Sequence, residues 1–76
     1  MPKQMQTDSP DSVTLESLVD RYGVSNVLDH IGQICRFKNY HILETWDDKP
    51  LARRWVAAAT AVEKCAMNSK VRKVSE

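Results

Sequence analysis

Trp46-Asp47-Asp48-Lys49-Pro50 separates two long stretches of helical periodicity, and this break decides the fold. An aspartate can accept from the free amides at a helix start, and a proline in the first turn loses no hydrogen bond there. Two helices joined by so few residues return antiparallel. The reading is a helical hairpin.

Upstream of the break, Ser25 is an N-cap candidate, and Val27, Leu28, Ile31, Ile34, Cys35 and Ile42 recur at helical spacing as far as about Thr45. At about 100° per residue these side chains fall within roughly a third of the circumference, with Asp29, Gln33, Arg36 and Tyr40 opposite. Gly32, about 1 kcal/mol worse than alanine inside a helix, either weakens this one or marks a close approach by another. Downstream, a third helix should run from Pro50 or Leu51 to about Met67. Leu51, Trp55, Ala58, Ala59, Val62 and Ala66 line one face, and Arg53, Ala57, Thr60 and Lys64 the other. Its alanines permit close helix contact.

Ahead of the hairpin, Thr14 or Ser12 can cap a short helix from Leu15 to Tyr22, with Gly23 ending it in the left-handed conformation. Leu15, Leu18, Val19 and Tyr22 would form its buried face. Residues 1–12 are polar and read as a disordered leader, and residues 68–76 as a basic tail that frays. The expectation is an all-α chain with one helical domain over residues 13–67, a short first helix lying across the hairpin.

At 76 residues the chain supports at most one core, and domains of this size often need a partner subunit, a metal or a disulfide. The longest apolar window, Val56 to Val62, is mostly alanine and is interrupted by Thr60, far short of the roughly 18 residues of a membrane span. The expected location is the cytoplasm, with no membrane partner. Cys35 and Cys65 lack CxxC spacing and are expected as reduced, buried thiols. The net charge of +1 conceals a division. Residues 14–48 carry three cations against six anions, a net of −3, and residues 49–76 carry seven against two, a net of +5. Such segregation favours an acidic partner, nucleic acid or the opposite half of another copy.

Leu18-Val-Asp-Arg-Tyr-Gly-Val-Ser25 resembles the Gly-Val-Ser turn of bacterial helix-turn-helix transcription regulators. The resemblance would make Gly23 the turn glycine and Val24 the buried turn residue, with Ser25, Asn26 and Asp29 near the start of a recognition helix. That family's pattern wants an apolar residue where this chain has Asp29, and an acidic helix repels phosphate, so the stretch reads as an ordinary capped helix–turn. Ile34-Cys-x-x-Lys38-x-x-His41, Trp46-x-Asp48 and Leu51-Ala-x-x-Trp55 together are similar to a group of short, uncharacterised bacterial helical proteins. That likeness implies a helical fold and no activity.

Chemistry-bearing residues do not converge in this reading. His30 and His41 stand eleven residues apart, about 16 Å along a helix, too far to share an ion, and Cys35 and His41 point to different sides. Asp47 and Asp48 read as turn and cap residues, and Cys35 near Lys38 and His41 as a structural thiol. No catalytic residue, metal, cofactor or small-molecule substrate is expected. Lys38 lies among Ile31, Ile34 and Ile42, where its stem can snorkel along Trp46 or Trp55, its ammonium pair with an acid such as Glu44, or the face open to a partner. Phe37 and Tyr40 lie outside the main apolar stripe.

The function expected from these residues is a non-catalytic protein-interaction module, a homo-oligomer, most simply a dimer, or an adaptor for a larger protein. Its candidate interface is Ile34, Phe37, Lys38, Tyr40 and His41. The alternative is weak nucleic-acid binding through Arg53, Arg54, Lys64, Lys70, Arg72 and Lys73.

Overall fold

The computed structural model describes residues 3–75 and is all-α. Met1, Pro2 and Glu76, the outermost residues of the expected leader and tail, lie outside the described residues. Four helices follow one another: α1 (Pro10–Tyr22), α2 (Val24–Thr45), α3 (Lys49–Met67) and α4 (Ser69–Ser75).

The first helix begins earlier than Leu15 because Ser9 supplies the cap. Its Oγ accepts from the Ser12 amide at 3.1 Å, and Pro10 enters the first turn, where no amide is needed. Neither Ser12 nor Thr14 caps; the Thr14 hydroxyl donates back to the Pro10 carbonyl at 2.9 Å. A single residue, Gly23, then joins α1 to α2. It ends α1 as expected but not in the left-handed helical region, since φ 86° and ψ 153° form an extended mirror conformation open essentially to glycine alone. The Gly23 amide donates to the Val19 carbonyl, its own carbonyl accepts from Val27, and the Asn26 side chain donates to the Tyr22 carbonyl.

Gly23, not Ser25, therefore stands at the N-cap of α2. Ser25 is turned inward, and its hydroxyl donates to the Ala66 carbonyl of α3 at 2.7 Å. That bond fixes the register of the hairpin. Stepping by sevens from it sets Gly32 level with Ala59 and Asn39 level with Ala52. The seam consists of Ser25, Leu28, Gly32, Cys35, Asn39 and Ile42 on α2, facing Ala52, Trp55, Val56, Ala59, Val62 and Ala66 on α3, all buried or half-buried. Alternating steps of three and four are coiled-coil spacing, and small residues at every seventh place let the backbones approach. The seam is thus rotated from the expected apolar stripe. Ile31, Ile34, Leu51 and Ala58 lie outside it and are exposed.

Gly32 marks a close approach. A Cβ there would lie 2.9 Å from Glu63 Cγ. Glu63 crosses over the glycine and takes a two-point grip on Arg36, which donates from Nε at 2.9 Å and from Nη2 at 2.7 Å. Arg36, expected on the face opposite the hairpin contact, is instead a cross-link between α2 and α3. Its hydrogen bond first, and its charge second, hold the Glu63 carboxyl below the ordinary carboxylate range.

The turn follows the expected chemistry: Asp48 accepts from the Leu51 amide at 3.1 Å, and Asp47 takes the left-handed conformation at φ 50°, which aspartate tolerates better than most residues. Residues 69–75, expected to fray, form α4 instead. Asn68 breaks the helical path at ψ 133° and caps α4, accepting from the Lys70 amide at 2.9 Å. Val71 is half-buried where α4 folds back on α2, and Val74 reaches the recess beside Gly23 and Val24. Both thiols are free as expected, Cys35 buried in the seam but Cys65 exposed.

The molecule measures 39 × 29 × 17 Å, with a radius of gyration of 14.2 Å against about 11 Å for a compact domain of this length. At 17 Å in the thinnest direction it is at most two helices deep. Helices in so thin a stack keep a wet side. No large side chain among the described residues is fully enclosed, and α1 has none buried.

Candidate protein-interaction site

The side of α2 turned away from α3 meets α1 only loosely. Val19 of α1 is half-buried, while Leu15, Leu18 and Tyr22, expected in the core, stay exposed. Between the two helices lies an open groove of about 540 Å³. One wall is Leu15, Leu18 and Tyr22; the other is Val27, Ile31 and Ile34, with Asn26 and His30 supplying the polar groups. No Asp, Glu, Lys or Arg lines it.

The walls have a simple origin in the chain. Leu15, Leu18 and Tyr22 stand at i, i+3 and i+7, and Val27, Ile31 and Ile34 at i, i+4 and i+7, so each triplet forms one stripe on its helix. Each wall spans eight residues, about 10 Å of rise or two turns. The stripes converge at the Gly23 elbow.

Ile34 is the one candidate interface residue in the groove lining and is 44% exposed. Phe37 and His41 continue its stripe along α2 beyond the groove, and Phe37 keeps 70% of its surface in water. Lys38, one turn on from Ile34, is exposed beside them. Tyr40 does not join the group. It lies about 120° around the helix from Ile34 and is exposed. Trp46, at the far end of the hairpin, is 72% exposed.

The six basic residues Arg53, Arg54, Lys64, Lys70, Arg72 and Lys73 are all exposed but dispersed. Arg53 and Lys64 share a side of α3 yet stand about 16 Å apart along it, while Lys70, Arg72 and Lys73 ride on α4. Among the described residues, no three His, Cys, Asp or Glu side chains gather as a metal site would require. None of the described helices is long and apolar enough to cross a membrane.

No family model, curated protein or solved structure matches the chain. The geometry of its own side chains therefore carries the functional argument.

Five lining residues, Leu15, Leu18, Tyr22, Val27 and Ile31, were legible as apolar stripe positions but assigned to the core, while Asn26 was weighed only as a start-of-recognition-helix residue and His30 only as a metal ligand. The available signal was an excess: α1 and α2 carry more apolar surface on their facing stripes than one turn of contact at an elbow can cover.

Proposed function

We propose that the chain is a non-catalytic protein-interaction module acting in the cytoplasm. The observation that carries this reading is the uncharged apolar groove between α1 and α2, continued along α2 by Ile34 and Phe37. Contiguous exposed apolar surface of this kind raises the free energy of the lone chain and is relieved by a protein surface. The groove accepts a helix of two to three turns with apolar residues at i, i+3 or i+4, and i+7, the helix-in-groove mode of recognition.

The test compares capture from cell extract by the immobilised wild-type chain, Ile34→Glu and the double variant Arg53→Glu/Arg54→Glu. The reading requires that a bound protein, further copies of the chain included, be lost with Ile34→Glu and kept with the arginine variant. If the arginine variant alone loses its ligand, and that binding falls steeply with salt, the nucleic-acid alternative through the basic residues of α3 and α4 replaces it.

A further inference from the structure

Resting on the reading of the groove as an interaction site, we propose that α1 is a lid. It swings about Gly23, lays its own wall of the groove on the wall carried by α2, and withholds the site until a partner helix displaces it. Each wall runs one step beyond the groove. On α1 the stripe of Leu15, Leu18 and Tyr22 is extended by Asp11, and on α2 the stripe of Val27, Ile31 and Ile34 is extended by Lys38. Each set of four falls within about 60° of its helix. Counted outward from the elbow, both stripes advance by four, three and four residues. Two antiparallel helices so patterned match rung by rung, Tyr22 on Val27, Leu18 on Ile31 and Leu15 on Ile34. The outermost rung brings the Asp11 carboxylate to the Lys38 ammonium, both of them exposed in the open form.

The elbow permits the movement. The Gly23 amide is bonded to Val19 of α1 and its carbonyl to Val27 of α2, so rotation about the φ and ψ of Gly23 turns one helix against the other while both bonds stay made. Glycine passes between backbone conformations that a Cβ would bar. An exposed side-chain bond from Asn26 to the Tyr22 carbonyl, 2.8 Å long, spans the elbow and is exchangeable for water. No side chain of α1 is buried, so none has to be uncovered first. Closure removes apolar side chains of both walls from water and adds an attraction at the far end of the lid. Only the open fraction of chains is competent to bind, so closure weakens the apparent affinity for a partner in proportion.

A cysteine pair at the outermost rung tests the lid. In a Cys65→Ser background, Asp11→Cys/Lys38→Cys should form a disulfide within one chain on air oxidation, identified by mass spectrometry. The linked protein should lose most of its binding of the neutral apolar dye Nile red and regain it on reduction. The control Asp11→Cys/Phe37→Cys, whose second position lies about 100° around α2 from Lys38, should link far more slowly. Charge exchange reads the same rung without cysteines. Asp11→Lys and Lys38→Asp should each speed hydrogen exchange in α1 by about two- to five-fold, and the double variant should exchange more slowly than Asp11→Lys. The lid is overturned if positions 11 and 38 do not link, if both pairs link equally, or if the link leaves dye binding unchanged. A double variant no slower than Asp11→Lys overturns it as well. A chain without the lid that still loses a captured partner on Ile34→Glu keeps the interaction module, whereas a working lid with no captured partner removes the module alone.

Discussion

Gly32, Glu63 and Arg36 form a lock in which each residue is explained by the other two. The glycine leaves room for the Glu63 stem, and the stem delivers a carboxylate to both donors of Arg36. Gly32→Ala gains up to about 1 kcal/mol of helix propensity but drives its methyl group into Glu63 Cγ, so the net change in the wild-type background is small. In a Glu63→Ala background that obstacle is gone, and Gly32→Ala should stabilise by the full amount of about 1 kcal/mol in urea melts. Equal effects in the two backgrounds would show that Glu63 does not crowd the glycine. The carboxylate also sets an acid response. Its folded pKa is held below the ordinary value of 4.5, so the stabilisation is whole above that value and is lost as pH falls through it and below. Thermal melts between about pH 6 and pH 3 should therefore fall more steeply for wild type than for Glu63→Gln. Of this lock, only the significance of Gly32 was legible in the sequence. Arg36 looked solvent-facing because it was judged against the apolar stripe, whereas the packed face is centred one position further round.

At the scale of elements, turn chemistry spoke clearly. Asp48, Pro50 and the short link specified the hairpin because capping and proline geometry are local. The seam was harder to read, since a stripe judged by hydrophobicity favours Ile31 and Ile34 over Ser25, Gly32 and Asn39. Close packing selects by size as well as polarity, and the alanines at 52, 59 and 66 supply half of a pattern whose other half is polar or bare. Ala59, level with Gly32, is fully buried in the seam. Ala59→Leu should cost about 1–3 kcal/mol or more through overpacking, while Ala57→Leu on the exposed side should be close to neutral. Similar denaturation midpoints for the two variants would reject this register. The tail misread has the same local character in reverse: Asn68 as the cap of α4 was available in the sequence, but five polar or basic residues and two valines gave little reason to expect a helix.

For the whole molecule, helical composition and the hairpin were legible, but the stand-off between α1 and α2 was not, because no periodicity reports the angle at which one helix leaves another. That angle rests on Gly23. With no buried side chain on α1 and one residue joining it to α2, α1 is free to open as its own unit while the hairpin stays closed. Hydrogen exchange should show this directly. Amides of α1 should exchange orders of magnitude faster than those of α2 and α3. Uniform protection across the three helices would mean that α1 is already docked. Residue 23 also stands between two geometries of one sequence. Any residue with a Cβ is strained at φ 86°, and straightening the link relieves that strain by running α1 into α2 as a single rod. The groove would then have one wall, so a single methyl group at position 23 acts as a topological change.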